Sequence, residues 1–134
     1  MIFQEMLKKD TMHCLDTSAV LEMLYETEKG KEIESITKGG QIRITSLTIQ
    51  ELLIGMKEKE VKMLEAFFGE VLVTDFSKEC ATHSAVLERY LRKSGKLINK
   101  VDILIAGICF NHNYHLITCD RDFEKIKGLR ITIL

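Results

Sequence analysis

Four acidic residues occupy positions where chemistry is possible. Asp16 follows the short apolar run Met12-His13-Cys14-Leu15, and Glu51 comes shortly after Gln41-Ile42-Arg43-Ile44-Thr45-Ser46. Asp102 opens the apolar stretch from Val101 to Phe110, and Asp120 directly follows His115-Leu116-Ile117-Thr118. If those runs are strands of an open parallel sheet, ligands bind in the crevice beyond their carboxyl ends. Carboxylates aimed at one crevice repel one another unless cations neutralise them. An all-oxygen set of this kind selects Mg²⁺ or Mn²⁺ rather than zinc. Two such ions about 4 Å apart can activate a water and stabilise the leaving oxygen of a phosphodiester. Taken singly, Asp16 and Asp120 also read as loop or N-cap residues, and Glu51 as the partner of Thr48 in a capping box. Asp102 resists a local explanation. Val101 and Ile103-Leu104-Ile105-Ala106 surround it with apolar side chains, and a buried carboxylate needs a cation or a donor.

The elements that must position these acids follow from periodicity. Short apolar runs alternate with longer amphipathic ones, the pattern of βαβ units on a parallel sheet. Strands are expected at Met12 to Leu15, Gln41 to Ser46, Val71 to Thr74, His115 to Thr118 and, as an edge, Leu129 to Leu134. Thr17 or Ser18 caps the first helix, whose face carries Ala19, Val20, Met23 and Leu24. A second helical stretch runs toward Gly39-Gly40, which suit a helix stop. Further helices are expected from Thr48, over Val61 to Phe68, from Ser77 to Gly95, and over Val101 to Phe110. The expected fold class is α/β: a three-layer α/β/α sandwich with a mostly parallel sheet of four to five strands.

Length and charge bound the rest. The chain has 134 residues, with 19 Lys and Arg against 20 Asp and Glu, a net charge of −1. That length fits one domain over residues 1–134, with residues 1–11 as a candidate N-terminal extension. Near-neutral charge excludes a polybasic binder, so contact with nucleic acid must come from a local patch. The N-terminus lacks a signal-peptide pattern, and the longest apolar run falls short of the ~20 residues a membrane span requires. A cytoplasmic, reduced protein is the expectation, with no membrane partner.

In their order and spacing, Asp16-Thr17-Ser18, Glu51, Asp102-Ile103-Leu104-Ile105-Ala106 and Thr118-Cys119-Asp120-Arg121-Asp122-Phe123 resemble the four motifs of the PIN-domain family. The likeness is greatest to its VapC-type toxin ribonucleases and spans about residues 12 to 134. It implies an Mg²⁺- or Mn²⁺-dependent endoribonuclease acting on RNA, a homodimer, and control by an antitoxin protein. Carried over residue by residue, it makes Asp16, Glu51, Asp102 and Asp120 the catalytic, metal-binding acids. It makes Thr118 a hydroxyl that steadies the acidic loop, with Ser18 in a similar role and Asp122 an auxiliary carboxylate. An RNA-processing nuclease would carry the same motifs, and a non-catalytic RNA- or protein-binding PIN domain is the non-enzymatic alternative.

Basic residues cluster at Arg89, Arg92, Lys93, Lys96 and Lys100 before Asp102, and at Arg121, Lys125, Lys127 and Arg130 beside Asp120. Such runs are commonly solvated faces. Their nearness to two acids makes Arg92, Lys93, Lys96, Lys100 and Arg121 the candidate RNA-backbone contacts, whose binding should weaken with salt. Leu52, Leu53, Met56, Met63, Leu64, Phe67 and Phe68 form a stripe that is core in part and interface in part. Cys109, His112, His115 and Cys119 do not match the spacing of common zinc fingers. A phosphoaspartate phosphatase would need an Asp two after Asp16, where Ser18 stands. A receiver domain would need paired acids near the N-terminus, and these are missing.

Overall fold

The computed structural model describes residues 11–134. The first ten residues, read from sequence as an extra helical turn or an extended arm, lie outside the described residues. The elements run β1 (His13–Leu15), α1 (Thr17–Leu24), α2 (Glu28–Thr37), β2 (Ile42–Thr45), α3 (Ser46–Gly55), α4 (Val61–Glu70), β3 (Leu72–Thr74), α5 (Lys78–Lys93), α6 (Lys100–His112), β4 (His115–Thr118) and β5 (Ile131–Ile133). Short 3₁₀ turns at Glu58–Glu60 and Arg121–Lys125 fill two of the connections.

All five strands are parallel, in the order β3-β2-β1-β4-β5. The fold class read from the sequence is therefore the one observed, with β5 at an edge as expected. Successive strand residues point to opposite faces, and the core divides accordingly. Cys14 and Leu116 join Leu87, Leu91, Ile105, Ile108 and Cys109 in one cluster, under α5 and α6. Their neighbours Leu15 and Ile117 join Ala19, Val20, Ile33, Ile44, Leu52 and Leu64 in the other, under α1 to α4. Two apolar layers thus sandwich one sheet.

Side chains fix where the helices begin, and here two local readings need correction. α1 is capped by Asp16, whose Oδ1 accepts from the Ala19 N–H, and not by Thr17 or Ser18. α3 starts at Ser46 under the Thr45 cap, whose hydroxyl accepts from the Thr48 N–H at 3.1 Å. Thr48 is therefore inside the helix, and Glu51 belongs to no capping box. Ser77 caps α5 as the sequence suggests, and Asn99 caps α6. Gly95, at φ +67°, makes the left-handed turn that releases the chain from α5 toward α6.

α6 is apolar almost all round because it is wedged between the sheet and α5, with Ile103, Ile105, Ala106, Gly107, Ile108 and Cys109 buried. The two helices close on Gly107. A Cβ there would lie 2.7 Å from the Ser84 Cβ and 2.9 Å from the Cys80 carbonyl oxygen. Gly107→Ala is expected to push α6 off α5, costing about 1–3 kcal/mol of stability. Chemical denaturation should show a lower midpoint with an unchanged slope, and a wild-type midpoint would contradict this packing.

Candidate active site

The chain leaves β1 on one side to form β2 and β3, then crosses to the other side for β4 and β5. Strand order reverses between β1 and β4, and at such a switch point the sheet opens a crevice at the carboxyl ends of the strands. Asp16 follows β1 and Asp120 stands just beyond β4, so both acids flank this crevice. Asp102 enters from the first turn of α6, and Glu51 from α3.

Asp16 is 4% exposed and is held from three directions. Ser18 Oγ donates to its Oδ1 at 2.7 Å and the Ala19 N–H at 3.0 Å, while Thr118 Oγ1 donates to its Oδ2 at 2.5 Å. Thr118, fully buried, in turn accepts from the Asp120 N–H at 3.0 Å, so one hydroxyl ties the first acid to the loop of the fourth. Ser18 accepts from the Cys119 N–H at 2.9 Å and reinforces the same junction. Asp120 Oδ1 accepts from the Asp122 N–H at 2.9 Å, which turns the loop into its 3₁₀ helix. The Asp122 carboxylate lies 3.6 Å from Lys125 Nζ. Glu51 Oε1 accepts from the Thr17 hydroxyl at 2.6 Å. Thr17 is the positioning residue the sequence reading missed. A hydroxyl directly after a strand-end acid was the available signal, taken there only as a candidate cap.

Asp102 differs from the other three. Among the described residues no donor is hydrogen-bonded to its carboxylate. Burial, followed by the negative charges of Asp120, Asp16, Glu51 and Asp122, raises its pKa to about 7. Asp16 is also raised by burial, against the pull of its three hydrogen bonds. Asp102 is therefore the acid on which the charges of Asp120, Asp16, Glu51 and Asp122 converge. This is the electrostatic signature of a site lacking compensating positive charge.

The donor set is carboxylate oxygen, which suits a hard divalent cation such as Mg²⁺ or Mn²⁺. Among the described residues no three His, Cys, Asp or Glu side chains are already drawn together as a metal cage. Asp16, Glu51 and Asp120 each accept a hydrogen bond that orients the carboxylate, and with Asp102 they are the residues that would hold such a cation. The thiols offer no competing centre. Cys14, Cys80 and Cys109 are free and buried, and the His112 ring stacks on Tyr114 at 5.0 Å.

The candidate RNA contacts divide into two groups. Arg92 and Lys100 both pair with Glu88, at 3.0 and 2.5 Å, and Arg121 pairs with Glu124 at 2.6 Å. Lys93 and Lys96 are exposed and carry no ion pair among the described residues. The cationic ends of these pairs are exposed, whereas the Glu88 side chain that holds two of them is 19% exposed.

The raised Asp102 carboxyl sets a direction for stability against pH. The folded chain binds this proton more tightly than the unfolded chain, whose Asp titrates near 4. Stability from this group is therefore complete at low pH and is lost as pH climbs from about 4 to about 7. Thermal melts in EDTA should show the wild type losing more stability between pH 5 and pH 8 than Asp102→Asn does. Equal losses would contradict the proposed field.

Residues 13–129 match the family model of the PIN domain, and the chain belongs to that family. Among its relatives is Ribonuclease VapC19 of Mycobacterium tuberculosis, 36% identical over 122 residues, which are 89% of this chain and 98% of that protein. The tRNA(fMet)-specific endonuclease VapC of Shigella flexneri is 30% identical over 97 residues, or 68% of this chain and 74% of that protein. The fold is also that of VapBC2 from Rickettsia felis, solved bound to a DNA fragment from its promoter. That match has a TM-score of 0.81 and 25% identity and covers 92% of this chain and 99% of that one. The resemblance drawn from the four motifs is therefore borne out at the level of family and fold.

Proposed function

We propose that this chain is an endoribonuclease that hydrolyses RNA phosphodiester bonds with Mg²⁺ or Mn²⁺, and that it is the toxin of a toxin–antitoxin pair. One observation carries the chemistry: Asp102, with no hydrogen-bond donor among the described residues, faces the charges of Asp120, Asp16 and Glu51 at the switch point of the sheet. Ribonuclease VapC relatives and a VapBC complex among the structural neighbours support the toxin role and a protein partner.

When bound, a divalent cation at these acids supplies charge neutralisation for the phosphate and acidifies a water. The chain itself supplies position. Thr118 and Ser18 hold Asp16 in one rotamer, Thr17 holds Glu51, and α6 presents Asp102 from a rigid, buried frame. Lys93 and Lys96 are free to meet RNA phosphates. Changing both to Gln should reduce the slope of log affinity against log salt by about 1.4, at about 0.7 per charge for single strands. An unchanged slope would remove them from the RNA path. The exposed Leu53 and Ile54 on α3, the latter 75% exposed, support a homodimer or antitoxin contact on that helix.

Inducible expression in a bacterial host tests the role. Wild type should arrest growth and leave discrete RNA fragments, and Asp102→Asn expressed at the same level should do neither. Arrest by both, with intact RNA, would overturn the ribonuclease reading.

A further inference from the structure

The opposite end of the sheet, where the strands begin, has the reverse electrostatic character. A cavity of about 460 Å³ there is lined by His13, His115, Lys38 and Arg130, with Ser35 and Thr37 beside them. Among the described residues no Asp or Glu lines it. Register explains the convergence, since His13 and His115 are paired directly across β1 and β4. Their rings meet edge to face at 5.5 Å. His115 Nε2 shares a hydrogen bond with Thr132 Oγ1 at 2.7 Å, which fixes its ring.

Among the described residues none of these groups has an acidic partner. His13 is 8% exposed, and its Nδ1 is buried with no hydrogen-bond partner among the described residues. Among the described residues Arg130 donates one hydrogen bond, at 3.4 Å to the Asn113 carbonyl oxygen, and neither Arg130 nor Lys38 has an ion pair. Burial and the Arg130 charge both hold the two imidazoles below their usual pKa. An anion in the cavity would relieve that repulsion and offer His13 an acceptor.

We propose that this cavity binds a phosphate dianion, free or as a terminal monoester, at a site separate from the acidic crevice. Two permanent charges, Lys38 and Arg130, match a dianion. Arg130 offers a planar pair of donors suited to two phosphate oxygens, and Ser35 and the imidazole N–H groups add further donors. Free phosphate, a mononucleotide and the terminal phosphate of an RNA strand all present this chemistry. The inference does not depend on the nuclease reading, because no acid of the crevice contributes to it.

The test is imidazole NMR of the full chain with inorganic phosphate added at constant ionic strength, chloride making up the balance. His13 and His115 resonances should shift saturably, and Arg130→Gln should weaken the midpoint at least about tenfold. Lys38→Gln, at an exposed position, should weaken it too, and Asp102→Asn should leave it unchanged. The same spectra report whether each variant is folded. Adenosine 5′-phosphate, and short RNA with and without a 5′-phosphate, then identify the source of the group. A shift that never saturates, or a midpoint unmoved by both Arg130→Gln and Lys38→Gln, would overturn the site.

Discussion

Asp102→Asn is expected to lower RNA cleavage by at least about 10²-fold while leaving the fold intact. The substitution keeps the shape of the side chain and removes its charge. In the absence of a cation it also relieves the burial of a charge and the repulsion from Asp120, Asp16 and Glu51, which together raise the Asp102 pKa. The variant should therefore be at least as stable as wild type at pH 8 in EDTA, and should gain less stability from Mn²⁺. A functional acid is separated from a structural one by that combination, lost activity with unimpaired stability. Cleavage at the wild-type rate, with Mn²⁺ stabilisation retained, would show that Asp102 serves neither role.

Thr118→Val should produce the opposite pattern, in which stability and activity fall together. The hydroxyl is fully buried, donates to Asp16 and accepts from the Asp120 N–H. Valine matches its shape but leaves a buried carboxylate oxygen and a backbone N–H without their partner, a penalty of about 1–3 kcal/mol. Cleavage should fall by about tenfold or more, because Asp16 is then held only through Ser18 and Ala19. Thr118→Ser keeps the hydroxyl and should restore most of both properties. If valine were harmless to stability and activity, the junction between the first and fourth acids would carry no weight.

The sheet was legible because a parallel strand buried on both faces must be apolar, and Cys14-Leu15 and Leu116-Ile117 are. The places of Asp16 and Asp120 followed from it, since they stand at strand ends, whereas Glu51 and Asp102 lie on helices. Helix starts were less legible. Thr45, Ser46 and Thr48 are all competent caps, and only the end of β2 selects Thr45. After β1, Thr17 and Ser18 looked like caps by type. Tertiary contacts draw them away instead, Thr17 to Glu51 and Ser18 to Cys119. The same limit applied to charge. Arg92 and Glu88 are four apart on one helix, but Lys100 reaches Glu88 only because Gly95 turns the chain back. His13 and His115 lie far apart in sequence, and their pairing across β1 and β4 depends on a strand order that periodicity does not specify.

The central claim is metal-dependent hydrolysis of RNA at the four-acid crevice. The most direct test is cleavage of a mixed single-stranded RNA pool by the purified chain, freed of any bound partner. Parallel reactions would contain EDTA, Mg²⁺ or Mn²⁺, with Asp16→Ala purified identically alongside. The account predicts discrete fragments with either cation, none in EDTA, and none from Asp16→Ala under any condition. Cutting that persists in EDTA, or that the variant performs as well as wild type, would contradict it.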